Sequence, residues 1–117
     1  MPGRPPTPDQ SNRARGRWGE DLAAAHYRRL GYHVLDRNWR SPTGELDLVV
    51  SVGETIVFSE VKARRTDRFG PAAGAVTVDK QRRIRQLAVE WLRANDLRSD
   101  SIRFDVVAIT GTKIDLI

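Results

Sequence analysis

Two hydrophobic periods alternate along this chain. Between residues 77 and 94, Ile84, Leu87, Ala88, Trp91 and Leu92 form an apolar i, i+3, i+4, i+7, i+8 stripe that predicts an amphipathic helix starting near Thr77 or Asp79. "RARGRWGEDLAAAHYRRL", residues 13–30, predicts an earlier helix ended by Gly31. Elsewhere the period is two or the apolar run is continuous. "YHVLDRNWR" predicts a short strand and "SPTG" a turn. Residues 45–52 and 55–62 predict a β-hairpin turning at Gly53-Glu54. "IRFDVVAI" is a further strand, and "KIDLI" is a candidate for one more. The order helix, three strands, helix, strand predicts an α/β sandwich with a mixed sheet flanked by helices.

Residues 1–12 hold four prolines and almost nothing apolar, and are expected to form a disordered tail, with Ser11 or Asn12 capping the first helix. Residues 13–117 are expected to be a single domain, and no internal repeat is visible. "RRTDRFGPAAGA" reads as a loop between the hairpin and the second helix.

The hairpin carries charges that a core strand would avoid. With a two-residue turn, Val52 pairs with Thr55, Asp47 falls opposite Glu60, and Glu45 falls opposite Lys62. Leu46, Leu48, Val50 and Val52 then share one face, and the four charges share the other. Glu45 and Lys62 make a reasonable ion pair. Two carboxylates about 5 Å apart repel by on the order of 3 kcal/mol at an effective dielectric near 20, whereas ordinary cross-strand pairs contribute about 0.2–1 kcal/mol. Either a cation lies between Asp47 and Glu60, or one of them is protonated, or the register differs. A solvated strand end would explain a lone acid; an opposed pair with an adjacent lysine on such apolar strands favours a site. A hard divalent ion such as Mg²⁺ takes oxygen ligands and often only one or two protein carboxylates.

Glu20 is a candidate third acid. Its helical neighbours are Gly16, Arg17, Ala23, Ala24 and Tyr27, a surface built for close packing. Gly16 and Gly19 each cost a helix about 1 kcal/mol relative to Ala, a cost that a close backbone approach would explain. Glu20 either points into a crevice or pairs with Arg17 on the helix surface.

Composition narrows the chemistry. The 117 residues include no Cys, which excludes disulfides and Cys-based zinc sites and fits a cytoplasmic location. No apolar run approaches the roughly 18 residues of a membrane span, and the N-terminus lacks the apolar segment of a signal peptide. Lys plus Arg number 20 against 15 acids, a net charge of +5 that suits a polyanionic partner. Arg13, Arg15 and Arg17, then Arg64, Arg65 and Arg68, then Lys80, Arg82, Arg83 and Arg85 form three basic runs around the acidic positions, a pattern that suits a nucleic-acid backbone. A basic amphipathic helix with exposed aromatics is lacking, which argues against a membrane partner. Of the three tryptophans, Trp91 belongs to the helix stripe, and Trp39 is the one worth testing for base stacking. His26 and His33 are isolated, and Asp105 has no evident role.

"GRWGEDLAAAHYRRLGYHVLDRNWRSPTGELDLVV", "VFSEVKAR", "VDKQRRI" and "RFDVVAI" together resemble the YraN-type uncharacterised bacterial family, which is similar to archaeal Holliday-junction resolvases and to the PD-(D/E)XK nucleases. The resemblance covers roughly residues 13–110. It implies a restriction-endonuclease-like αβββαβ core. It implies Asp47 and Glu60 as ligands of Mg²⁺ or Mn²⁺ with the Val61 carbonyl, Glu20 acting on the metal through water, and Lys62 orienting or deprotonating the attacking water. Leu46 stands where the superfamily name has Pro. The expected activity is hydrolysis of DNA, with branched or damaged forms among the candidate substrates and DNA ahead of RNA. The alternative is a nucleic-acid-binding module of the same fold that does not cut efficiently. Cutting both strands of a junction would favour a homodimer, although the sequence offers no dimer surface to read.

Overall fold

A computed structural model describes residues 8–64, 77–110 and 113–116. The elements are α1 (Pro8–Arg29), β1 (His33–Ser41), β2 (Gly44–Val52), β3 (Thr55–Arg64), α2 (Val78–Ala94), β4 (Ser101–Thr110) and β5 (Lys113–Leu116). The strands form one five-stranded sheet in the order β1-β2-β3-β4-β5. β1, β2 and β3 make an antiparallel meander. β4 runs parallel to β3, as a helical crossover through α2 allows, and β5 turns back antiparallel on β4. This is the expected mixed-sheet α/β fold with a restriction-endonuclease-like core.

Period two sorts the strand residues between two helices. Leu48, Val50, Val57, Val107 and Ile109 pack under Ala23, Ala24 and Tyr27 of α1. Val49, Ile56 and Phe58 pack under Leu87, Ala88 and Trp91 of α2. The helical stripe read from the sequence is the buried face of α2, with Ile84 and Leu92 half-buried at its margins. Trp39 also packs against this core, so the residue singled out for base stacking is half-buried among apolar neighbours. Among the described residues no helix is long and apolar enough to cross a membrane.

Helix ends follow local chemistry. The Thr77 side chain accepts a hydrogen bond from the Lys80 amide at 3.2 Å, and Asp79 lies in the first turn of α2. α1 ends as Gly31 predicts: the Tyr32 amide donates to the Tyr27 carbonyl and the Gly31 amide to that of Arg28, with Gly31 at φ 92. The start of α1 differs from expectation. The helix begins at Pro8, so Ser11 and Asn12 lie within it rather than capping it, and residues 8–12 are helical rather than part of a tail. Proline is well tolerated at a first helical position, where its missing N–H would have had no partner. Residues 1–7 lie outside the described residues.

Candidate active site

The hairpin turns as the sequence predicts, with Val52 paired to Thr55 and Gly53 at φ 57. The β2–β3 ladder then runs only to Leu48↔Ser59. Beyond it the expected pairs Asp47–Glu60 and Glu45–Lys62 do not form. β2 stays with β1 as far as Ser41↔Gly44, while β3 stays with β4 as far as Arg64↔Thr110. Each strand keeps its outer partner, so the inner pair opens into a fork. Asp47 spans its apex: its Oδ2 accepts a hydrogen bond from the Val61 amide at 2.9 Å.

The alternation of β2 also breaks here. Leu46, expected on the face of Leu48, packs instead in the α2-side core beside Val49. On the neighbouring strand Asn38, between the pairs Arg37↔Leu48 and Trp39↔Leu46, adopts a positive φ of 54. Such a conformation is tolerated by Asn better than by most side chains.

Glu20 points into the fork. It is only 8% exposed. Arg37 rather than Arg17 is its cation, with Nη2 at 3.9 Å from Oε2, and the same Nη2 donates to Asp21 Oδ1 at 2.6 Å. Gly19 explains how α1 comes so close: a Cβ there would sit 2.7 Å from the Ala63 Cβ. Gly16 is different. A Cβ there would meet nothing within 4 Å, so no close approach accounts for it.

One carboxylate oxygen from each of Glu20, Glu45 and Asp47 falls within 4.8 Å of the others. Glu45, which the sequence paired with Lys62, belongs to this acidic group and is held by Arg40 at 3.3 Å. Lys62 pairs along its own strand instead, with Nζ 3.0 Å from Glu60 Oε1. Strand residues two apart share a face, so this pairing needs no cross-strand register. Oε2 of Glu20 and Oε2 of Glu60 are buried and have no hydrogen-bond partner among the described residues.

The electrostatics follow from burial and crowding. Burial pushes the Asp47 carboxyl up to about 6; the Val61 hydrogen bond opposes this, and the charges of Glu20, Glu60 and Glu45 add to it. Burial likewise raises Glu20, against hydrogen bonding from Asn38 and the charge of Arg37. For Lys62, burial disfavours the ammonium, but contact with Glu60 and the charges of Glu60 and Asp47 outweigh it and raise its pKa. Lys80 is lowered, chiefly by its contact with Lys62.

The basic runs divide. Lys80 and Arg83 line a cleft of about 200 Å³ on the α2 side, together with Asp47, Ser59 and Glu60. Arg17 lines a second cleft on the α1 side with Glu20, Asn38, Arg40 and Glu45. Arg85 lines a third hollow with Phe104 and Asp105, one that Glu20, Glu45, Asp47 and Glu60 do not line, and Arg82 is exposed. Arg13 and Arg15 lie on α1 and Arg64 ends β3; their side chains, and the whole of Arg65 and Arg68, lie outside the described residues.

Asp105, given no role from sequence, is 7% exposed and central to a buried network. It accepts from Tyr27 Oη at 2.8 Å and from Arg103 Nε and Nη2 at 2.9 Å each, while Tyr27 Oη also reaches Ser59 Oγ at 2.9 Å. The network ties α1 and β4 to β3 beside Glu60. Arg37, Asn38 and Arg40 were also missed: β1 carries a period too weak to show which side chains meet the acids.

The profile of the family described as "Uncharacterised protein family UPF0102" matches residues 19–109. A UPF0102 protein of Rhodococcus opacus (strain B4) is 54% identical over 98 residues, covering 84% of this chain and 83% of its own. One from Frankia casuarinae is 52% identical over 97 residues, with 83% and 82% covered. One from Geobacter sulfurreducens is 48% identical over 99 residues, with 85% and 77% covered. The chain belongs to this family, as the YraN-type resemblance implied.

Proposed function

For this member of the UPF0102 family we propose metal-dependent hydrolysis of phosphodiester bonds in DNA, with membership of the PD-(D/E)XK nucleases and a relation to Holliday-junction resolvases. The observation that carries the reading is the fork. It gathers buried Glu20 and half-buried Asp47 and Glu60 at a cost in repulsion, leaves Oε2 of Glu20 and of Glu60 without a hydrogen-bond partner among the described residues, and sets a lysine against them. A site built only for stability would pair or remove those charges.

The donor set fits a hard divalent cation. It is all oxygen, and Oε2 of Glu60, which has no hydrogen-bond partner among the described residues, is what such an ion would satisfy. Asp47 and Glu60 would hold Mg²⁺ or Mn²⁺ with the Val61 carbonyl, and Glu20 would act through water. When bound, the ion supplies a more acidic water and positive charge at the phosphorus. The chain's own groups do the rest. Lys62, anchored by Glu60 and favoured as the ammonium by that contact, orients the attacking water and offsets phosphate charge. Lys80 and Arg83 line the same cleft and favour a polyanion.

The test is incubation with branched, flapped and linear DNAs, with Mg²⁺ or Mn²⁺ and with chelator. Cleavage of at least one structure, present with metal and absent with chelator, is expected. Binding without cleavage of any substrate would leave a nucleic-acid-binding module and overturn the enzymatic reading.

A further inference from the structure

The turn between β1 and β2 is clamped to one face of α2. Thr43 Oγ1 accepts from Gln86 Nε2 at 3.3 Å and donates to Glu90 Oε1 at 3.1 Å. The next residue, Gly44, lies under Arg83, one turn earlier on the same helix face. A Cβ on Gly44 would come to 3.2 Å from the Arg83 Cδ and 3.6 Å from the Leu87 Cδ1, and Gly44 has a φ of 152 that side chains rarely adopt. A side chain at position 44 would therefore press on the Arg83 stem, which would have to give by a few tenths of an ångström.

Arg83 lines the α2-side cleft with Lys80, and Asp47 and Glu60 line the same cleft. The side chain of Lys62 meets that of Lys80, which brings a third cation beside this cleft. Of these three cations, Lys62 has a short carboxylate partner, Glu60. Two cations lining a cleft beside the acidic residues suit a negatively charged group next to the reacting one, as a phosphodiester beside the one being cut would be.

We propose that this cleft is the subsite for a backbone phosphate flanking the scissile one, held by Lys80 and Arg83, with Gly44 as the positioning residue that seats the Arg83 stem. The proposal rests on the nuclease reading for its substrate, but its test does not require cutting. Arg83 can fork two N–H groups toward one phosphate, which a lysine at that position cannot do.

The experiment measures binding in chelator. The probes are short DNA strands, each with a single phosphate replaced by a neutral methylphosphonate. Wild type should lose about tenfold in affinity at one position, the size expected for one charge-assisted contact. Arg83→Gln should bind the unmodified strand about tenfold more weakly and show no further loss at that position. Gly44→Ala should reproduce the Arg83→Gln profile, and the double variant should be no worse than either single one. An Arg83→Gln protein that keeps the wild-type profile, or a wild type with no sensitive position, overturns the subsite. If Gly44→Ala proves unfolded by circular dichroism, the Arg83→Gln scan decides alone. Loss of the subsite with metal-dependent cleavage intact would leave the nuclease reading standing. A confirmed subsite without cleavage would do the reverse.

Discussion

The two halves of one hairpin are built on opposite terms. From Val52↔Thr55 to Leu48↔Ser59 the strands are laddered, and Leu48, Val49, Val50, Val57 and Phe58 are fully buried. One residue further, the ladder stops and the same two strands present Asp47 and Glu60. The closed half stabilises the fold by apolar burial. The open half carries crowded carboxylates, with Asp47 raised to about 6 by burial and by its acidic neighbours. The difference teaches that the fork is a place where stability is given up locally and held elsewhere, the pattern expected of a functional site.

The largest contrast should appear when each half is altered in turn. Asp47→Ala, Glu60→Ala and Lys62→Ala should each lower metal-dependent cleavage by at least about 100-fold, the scale on which proton-transfer and charge-stabilising groups act. Their folds should remain intact by circular dichroism. A Lys62→Ala protein that cuts at the wild-type rate would contradict its assigned role.

The closed half should answer the other way. Leu48→Ala removes a fully buried side chain beneath α1 and should cost about 2–5 kcal/mol of stability in denaturant melts. A loss below 1 kcal/mol would show that the ladder half is not the structural anchor of the hairpin.

Stability against pH gives a third, smaller contrast. The folded Asp47 carboxyl is raised above its ordinary value, so its favourable contribution is full below about pH 4 and is lost as pH rises through about 6. A shift of about two units corresponds to roughly 2–3 kcal/mol. Without metal, wild type should therefore lose stability relative to Asp47→Asn between pH 4 and 7. Burial raises Glu20 in the same direction, so the wild-type curve alone should fall further than this difference. A difference between the two proteins that stays flat across this range would contradict the crowding of Asp47.

Much of this was legible in the sequence. The turn at Gly53-Glu54, the stripe from Ile84 to Leu92 and the stop at Gly31 are local signals, and each is where the residues predict. For Glu20 the sequence left two readings open, a crevice suggested by Ala23, Ala24 and Tyr27 or a surface pair with Arg17, and the structure buries it beside Arg37. The fork was not. It arises because β3 follows β4 and β2 follows β1, and no residue within the hairpin records those distant preferences. The true partners of Glu45 and Lys62 were hidden for the same reason. Gly16 and Gly19 look alike in sequence, but only Gly19 faces β3 closely enough to need its missing side chain. The Tyr27–Asp105–Arg103 network joins residues 78 apart in sequence through Tyr27 and Asp105, so spacing alone could not reveal it.

The central claim is that Asp47 and its acidic neighbours are crowded in order to hold a cation. Thermal melts of wild type and Asp47→Asn near pH 7, in chelator and in millimolar Mg²⁺ or Mn²⁺, test it most directly. Asparagine keeps the shape and an acceptor for the Val61 amide while removing one charge. In chelator the variant should be more stable than wild type by about 1–3 kcal/mol. Metal should raise the wild-type Tm, because the folded state alone presents the site, and should raise that of the variant much less. A wild-type Tm indifferent to both metals, with an Asn variant no more stable than wild type in chelator, would contradict the account.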